Sequence, residues 1–234
     1  VGQLETSDLL VLTPPPSMDP DELSSIIEDR EYQGPTLVVL PKWNAIPSQF
    51  LQLLQLQDPE MMKEGWVLLS DMSAPGWAQA EEGVLALGIE RGGRAGVKTR
   101  SASDLSIFSG EETQSEDATK NPQKFMTVFP LDELTGSLPT AIGYYSKKDA
   151  SRKPLILDQE GRMIAYSYEQ ASFYEEPSDL ISDDYGPSNW VVFVVEPDLL
   201  NNWGLADDRR AMAALSLVRN MDWGEYDGVV FDLT

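Results

Sequence analysis

The C-terminal stretch Asn189–Thr234 constrains the fold more than any other part of the chain. It contains an apolar run, Val191–Val195, then a polar turn, an amphipathic segment and a second apolar run at Val229–Phe231. Strands that are apolar on both faces are typical of parallel sheets whose faces are covered by helices. The stretch therefore predicts a strand–helix–strand unit, and its turn holds the densest group of polar residues in the chain.

Three further apolar runs near the start of the chain have the same character. Together with the two C-terminal runs they predict five core strands, near residues 9–13, 36–40, 66–70, 190–196 and 228–232. A helix-start pattern, Asp19-Pro20-Asp21-Glu22, follows the first run, because Asp19 can accept from free amides and Pro20 suits the first helical position. The alternation predicts an α/β fold in which one mainly parallel sheet is flanked by helices.

The middle of the chain, residues 90–186, has a different pattern. Its clearest feature is a hairpin signal at Leu155–Tyr166, where two apolar runs surround a turn that ends in Gly161. The glycines and arginines of Gly88–Gly96 lack the spacing of a phosphate-binding loop, so a plain loop or hairpin is favoured there. We therefore expect a single α/β domain over residues 1–234, with residues 90–186 as a β-rich insertion within it.

The residue inventory removes whole classes of chemistry. Cys and His are absent, which excludes thiol nucleophiles, histidine bases and disulfides, and argues against transition-metal sites. Lys and Arg number 17 against 39 Asp and Glu, and the formal charge of −22 repels nucleic-acid backbones and anionic lipid headgroups. No apolar run reaches the roughly 18 residues that a membrane-spanning helix needs. We expect no cofactor, and either carboxylate, Lys, Ser or Tyr chemistry or none.

Polar residues at the carboxyl ends of the predicted strands are the candidate binding residues, because ligands of open parallel sheets bind beyond those ends. They are Lys42, Trp43, Asn44, Asp71, Glu196, Asn202 and Asp207. A structural interpretation competes with the binding one, since Asn202 and Asp207 stand where turns and helix starts need side-chain acceptors. We favour the structural interpretation for these two residues, and predict that Asp207 caps the helix that follows it.

Two other kinds of site compete with this interpretation. Oxygen ligands from Asp198, Asp207 and Asp208 suit Mg²⁺ or Ca²⁺, although a chain this acidic contains such clusters by chance. An aromatic face for a sugar or a peptide needs exposed rings, whereas large aromatic residues are more often core residues. The tryptophans concerned are Trp43, Trp77, Trp190 and Trp203. We favour capping and core packing over both alternatives, and predict no metal site.

The segment after the fourth predicted strand also carries a family resemblance. The residues that carry it are Glu196-Pro197-Asp198-Leu199-Leu200, Asn201-Asn202, Gly204-Leu205, the pair Asp207-Asp208 and Gly228–Asp232. With these residues the segment resembles the end of an uncharacterised bacterial family, a domain of unknown function whose members have a class I glutamine amidotransferase-like domain held outside the membrane by transmembrane helices. The chain departs from the family pattern at Asp208, where Asn is expected, and at Leu233, where a second acid is expected.

The resemblance implies a flavodoxin-like three-layer fold at the extracytoplasmic, periplasmic face of a bacterial membrane, anchored by segments outside this chain. It does not imply glutamine amidotransferase activity, because that chemistry needs the Cys and His that the chain lacks. We expect a binding or interaction domain without catalysis, whose partner is a protein or a small polar ligand and not nucleic acid. The alternative is a carboxylate-based hydrolase of a glycan or similar polar substrate, using Asp71 and Glu196.

Overall fold

A computed structural model describes residues 8–30, 33–47, 67–71, 73–91, 124–128, 134–138, 144–168, 191–201, 205–221 and 229–232. Within these ranges the chain forms two α-helices, α1 (Pro20–Arg30) and α2 (Asp208–Met221). It also forms twelve strands: β1 (Leu9–Leu12), β2 (Thr36–Val39), β3 (Trp43–Pro47), β4 (Val67–Asp71), β5 (Ile89–Arg91), β6 (Lys124–Thr127), β7 (Thr135–Ser137), β8 (Tyr144–Ser146), β9 (Arg152–Asp158), β10 (Met163–Tyr168), β11 (Val191–Val194) and β12 (Val229–Asp232).

Ten of these strands form one mixed sheet. Its parallel part has the order β12-β1-β2-β11, and each neighbouring pair in it runs parallel. Beyond β11 the sheet continues antiparallel through β10, β9, β6 and β7, while β8 pairs with β10 and β5 pairs with β8. The α/β class and the β9–β10 hairpin are confirmed, and four of the five predicted core strands lie in the parallel part. The sheet as a whole is mixed, however, rather than mainly parallel.

The predicted strand at residues 66–70 is wrongly placed. It forms as β4, but β4 pairs antiparallel with β3 in a separate two-stranded sheet. Trp43 and Asn44, expected to follow β2 as a site segment, are the first residues of β3. The physical reason is that a short apolar run has no period that distinguishes a strand of a parallel sheet from one of an antiparallel pair.

The chain divides into two compact units. The first comprises Val1–Pro41, Ala74–Gly92 and Gln123–Thr234, and carries the ten-stranded sheet. The second comprises Lys42–Ser73 and Gly93–Pro122, and carries β3 and β4. Compact units of this kind are not by themselves independent domains, so the single domain expected over residues 1–234 stays a prediction.

Three of the four parallel strands, β1, β2 and β11, are buried on both faces, as their apolar composition predicts. All four residues of β1 are at most 6% exposed, and Val192 and Val194 of β11 are fully buried. Helix α1 begins at Pro20, where Asp19 accepts from the amides of Asp21 at 2.9 Å and Glu22 at 3.4 Å. The helix start predicted from the sequence is therefore confirmed, and its cap satisfies two otherwise unpaired amides.

Gly136 marks a close approach between β7, β6 and α2. A methyl group at this position would lie 2.5 Å from Phe125 Cε1 and 2.8 Å from Arg209 Cβ, both closer than van der Waals contact allows. We expect Gly136→Ala to lower the free energy of unfolding by about 1–3 kcal/mol, the usual cost of overpacking. Urea denaturation measures it. Gly76→Ala is the matched control, since a methyl group there has no neighbour within 4 Å, and equal losses in both variants would contradict the steric explanation.

Candidate functional site

The turn after β11 engages its own polar side chains. Glu196 is fully buried, and its Oε1 accepts from the amide of Asp198 at 3.3 Å. The carboxylate of Asp198, which is also buried, accepts from Asn201 Nδ2 at 2.7 Å across a short 3₁₀ turn, Pro197–Leu199. These contacts agree with the structural interpretation of the segment, although Asn201 is the amide in contact with Asp198. Asn202, the residue chosen from the sequence, lies outside the described residues.

Asp207 is the N-terminal cap of α2. Its Oδ1 accepts from the amide of Arg210 at 3.0 Å, and its carbonyl accepts from the amide of Ala211 at 2.9 Å. This is the contact that a helix start needs, because the first amides of a helix have no partner within it. The predicted capping role of Asp207 is therefore confirmed.

Removing this cap has a predictable cost. We expect Asp207→Ala to lower the free energy of unfolding by about 0.5–2 kcal/mol, the usual loss for a missing carboxylate cap. Asp208→Ala is the control, because Asp208 is an exposed residue of the first turn and contributes only a few tenths of a kcal/mol through the helix dipole. Urea denaturation of both variants beside the parent is the measurement. An unchanged midpoint for Asp207→Ala would contradict the role.

Four of the candidate binding residues belong to the second compact unit. They are Lys42, Trp43, Asn44 and Asp71. Lys42 is buried, with its Nζ 5.0 Å from the centre of the Trp43 ring, a cation–π contact. Trp43 lies opposite Asp71 in the β3–β4 register, and Asn44 is exposed. The side chain of Asp71 lies outside the described part of the chain. Asp71 and Glu196 belong to different units, so their joint role in a hydrolase stays a prediction.

The described residues give no support to the Mg²⁺ or Ca²⁺ site or to the aromatic binding face considered from the sequence. Among them, no group of three or more acidic, His or Cys side chains is arranged to hold a metal ion. Trp77 is a core residue that is 1% exposed and donates its Nε1–H to the carbonyl of Pro15 at 3.0 Å. Trp190 and Trp203 lie outside the described residues. Within the same ranges, no helix is both long enough and apolar enough to cross a bilayer.

The β9–β10 hairpin contains a buried polar cluster that sequence reasoning missed. Asp158 is 2% exposed, and its Oδ1 accepts from the amides of Glu160 at 2.9 Å and Arg162 at 2.7 Å. Its Oδ2 accepts from Arg162 Nε at 2.9 Å and forms an ion pair with Arg162 Nη2 at 2.7 Å. The guanidinium of Arg162 lies over the ring of Tyr145, 3.8 Å from its centre. An acid at the start of a turn with an arginine four residues later is the sequence signal for this cluster.

Tyr145 connects this cluster electrostatically to the end of β11. Burial raises the pKa of its hydroxyl well above the ordinary value of 10.0; Arg162 opposes the rise, while the charges of Asp158 and Glu196 and the hydrogen bond to Asp158 add to it. The hydroxyl therefore stays protonated at neutral pH. A protonated phenol can donate to a carboxylate, so Tyr145 of β8 joins the hydrogen-bonded cluster around Asp158.

An apolar cavity of about 530 Å³ lies between one face of the parallel sheet and α2. Its strand residues share one face, because Val11 pairs with Leu37 and residues two apart on a strand point the same way. Thr13 and Asn201 are the polar members of its described lining, and the rest is aliphatic or proline. The lining consists of Val11, Thr13, Leu37, Val39, Pro197, Leu200, Asn201, Leu205, Ala211, Ala214, Leu215, Val218 and Val229.

Comparison with protein-family models, with curated proteins and with solved structures finds no match to this chain. The candidate site is therefore defined by geometry alone. Sequence reasoning selected polar residues at the carboxyl ends of the strands, whereas the cavity is built mainly from apolar side chains that fit the pattern of a core. Leu205, Leu215 and Val229 at its wall are 49%, 41% and 45% exposed, so the cavity is accessible from solvent.

Proposed function

We propose that this chain is a binding domain without catalytic activity, and that its ligand occupies the apolar cavity beside α2. The observation that carries the proposal is the cavity itself. Protein interiors are close-packed and contain few voids larger than a water molecule. A cavity of about 530 Å³ lies within the range of small-molecule pockets, roughly 300–1,000 Å³, and its aliphatic wall with a few polar groups is the usual composition of such pockets.

The lining favours binding over catalysis. None of the described side chains that line the cavity is an acid, a base, a Cys or a Lys, and the hydroxyl of Thr13 has no base among them to activate it. General acid–base catalysis needs a titratable group within hydrogen-bond reach of the substrate. The nearby carboxylates Glu196 and Asp198 are buried within the turn, where each accepts a hydrogen bond from a neighbouring residue. A ligand in this cavity is therefore held rather than converted.

We also propose the family relationship that the segment from Glu196 onwards suggests, with the extracytoplasmic location and membrane anchoring that it implies. β12, β1, β2 and β11 form a parallel α/β core, in which α2 lies between β11 and β12 in sequence. The order of these strands differs from the flavodoxin-like order 2-1-3-4-5. The relationship therefore rests on the sequence of the turn and not on topology, and fractionation of cells that express the complete protein tests the location.

Binding of a neutral apolar fluorophore tests the cavity directly. We expect N-phenylnaphthylamine to bind the parent protein with a rise in fluorescence, since apolar ligands gain by leaving water. Ala211→Phe places an aromatic ring into the cavity from α2, and we expect it to raise the dissociation constant of the fluorophore at least tenfold. Met212→Phe is the matched control, because residue 212 is the next position of the same helix, is 46% exposed and is not part of the lining.

The control separates two explanations of a lost signal. If both variants remain folded and only Ala211→Phe loses the fluorophore, the cavity is the binding site. If the parent does not bind the fluorophore, or if Ala211→Phe binds it as tightly as Met212→Phe does, the proposal is wrong. Chemical denaturation of both variants shows whether the added ring has unfolded the protein.

A further inference from the structure

We infer that the ligand of this cavity is an uncharged amphiphile, a medium-length alkyl chain with a hydroxyl- or amide-type polar end. The inference rests on the proposed function and specifies its ligand class. Three observations support it: the polar residues of the described lining lie at one end of the cavity, its length suits an extended chain, and its surroundings disfavour a charged head. The polar end is formed by Thr13 and Asn201, and the aliphatic body lies between β1, β2, β12 and α2.

The polar and apolar parts of the lining are separated along the strands. Val229 pairs with Leu9 at the amino ends of β12 and β1, whereas Thr13 directly follows the carboxyl end of β1. Thr13 lies four residue steps after Leu9, a distance of about 13 Å along the strand. Asn201 follows β11 at the same carboxyl end as Thr13. A ligand that fills the cavity therefore has one polar end and a long apolar body.

Helix α2 independently indicates the same direction, from the polar end of the cavity to its apolar end. It begins just after the turn that contains Asn201 and returns toward the start of β12, so successive turns of the helix run from the polar end of the cavity to the apolar end. Ala211 and Val218 both line the cavity and are separated by about 10 Å along the helix. A compact round ligand would leave part of this length empty, whereas an extended chain contacts both residues.

The charges of the protein favour a ligand whose polar head is uncharged. The buried carboxylate of Asp198 contacts Asn201 directly, and the chain carries a formal charge of −22, so an anionic head meets repulsion at close range and from the whole molecule. A cationic head is attracted by the same charges, but none of the described lining residues is an acid and Asp198 already accepts from Asn201, so the head would lose hydration without gaining a direct ion pair. An uncharged head avoids both costs.

Thr13 and Asn201 are suited to such a head. A hydroxyl combines one donor with two acceptor positions, and a carboxamide combines two donors with an accepting oxygen. Each side chain can therefore bind a ligand hydroxyl or amide in addition to the hydrogen bonds that it already makes. Thr13 is exposed and Asn201 is half-buried, so a head bound between them would stay close to water while the alkyl chain is buried.

Displacement of bound N-phenylnaphthylamine by decanol, decanoate and decylamine tests the inference. These probes share one alkyl chain and differ only in the head, which at pH 7 is uncharged, negative or positive. We expect decanol to displace the fluorophore at a concentration at least tenfold below that needed for either charged probe. Thr13→Val keeps the shape of the side chain and removes the hydroxyl, and we expect it to raise the dissociation constant of decanol about three- to tenfold more than that of the fluorophore, which is measured separately on the same variant.

The outcomes separate this inference from the proposed function. If the fluorophore binds and Ala211→Phe removes it, but decanoate or decylamine displaces it as well as decanol does, the ligand class is wrong and the cavity remains a binding site. An unchanged affinity of Thr13→Val for decanol likewise contradicts the position of the head. If the fluorophore does not bind the parent at all, the proposed function itself is wrong.

Discussion

Asp158→Ala is expected to lower the free energy of unfolding by about 3 kcal/mol. The side chain of Asp158 is fully buried, and its two oxygens accept from two backbone amides of the turn and from the guanidinium of Arg162. Removing one partner of a buried ion pair costs about 3–5 kcal/mol. We take the lower end because the side chain of Arg162 is 32% exposed, so water partly replaces the lost contact.

The same turn supplies the control for this prediction. Glu160 also pairs with Arg162, at 3.2 Å, but its side chain is 57% exposed, and exposed ion pairs contribute at most about 1 kcal/mol. Urea denaturation of Asp158→Ala and Glu160→Ala beside the parent is the measurement. Similar losses for the two variants would show that net charge, and not the buried position of Asp158, determines the stability of the hairpin.

A double-mutant cycle isolates the pair itself. Residues in one hydrogen-bonded network show coupling energies of about 0.5–3 kcal/mol, so Asp158→Ala and Arg162→Ala together should cost less than the sum of their separate losses. Additive losses would mean that Asp158 acts through the backbone amides of Glu160 and Arg162 alone. Either result also bears on Tyr145, because its ring packs against the guanidinium that Asp158 holds in place.

Elements with a strong local signal could be predicted from the sequence. β1, β2, β11 and β12 are apolar on both faces, and a buried parallel strand needs that composition. The hairpin is predictable because Gly161 occupies a backbone conformation, φ +76°, that other residues resist. Asp19 and Asp207 are predictable for a related reason, since a helix start needs an acceptor at one fixed position.

Strand pairing between distant segments could not be predicted in the same way. β3 and β4 pair in a register that joins Trp43 to Asp71, and no local period in either segment records its neighbour. The antiparallel extension beyond β11 is a similar case, because β10 precedes β11 in sequence and pairs with it across a long connection. Such pairings depend on contacts that are far apart in the chain, whereas residue patterns report local geometry.

The cavity could not be predicted because it depends on side-chain size and not on hydropathy. Val11, Leu37 and Ala214 fit the pattern of a sheet face packed against a helix, and the sequence assigns all such residues to the core. Whether that packing leaves a void is determined by the small residues of α2, Ala211 and Ala214, opposite the strands. An apolar pattern predicts that a surface is covered, but it does not say by what, and here part of the face borders the cavity.

Arg30→Met is expected to lower the free energy of unfolding by at least about 2 kcal/mol. Arg30 ends α1 and is 1% exposed, and its Nη2 donates to the carbonyls of Asp8 at 2.7 Å and Pro35 at 3.2 Å, while its Nε donates to Thr36 Oγ1 at 3.4 Å. One guanidinium thus joins the end of the helix to the starts of β1 and β2. Leaving a buried acceptor unpaired costs about 1–3 kcal/mol, and hydrogen bonds from a charged donor are the stronger ones.

The choice of variants distinguishes the hydrogen bonds of the Arg30 guanidinium from the burial of its aliphatic stem. Met retains most of the stem of Arg30 and removes the donors, so a loss of stability reports the hydrogen bonds. Arg30→Lys retains a charge but replaces the planar fork with a single ammonium, and we expect it to recover only part of the stability. Arg219→Met is the control, since Arg219 is an exposed residue of α2 and such substitutions usually change stability by less than about 0.5 kcal/mol.

Loss of the Arg30 hydrogen bonds should also affect the wall of the cavity, because Arg30 contacts the starts of β1 and β2. Val11 and Leu37 face each other across these two strands and form part of the cavity wall. If Arg30 holds the strand starts together, hydrogen exchange of the β1 and β2 amides should be faster in Arg30→Met than in Arg219→Met, since local opening follows local stability. Equal exchange in the two variants, together with an unchanged urea midpoint, would show that the apolar packing of β1 and β2 holds the two strands together without Arg30.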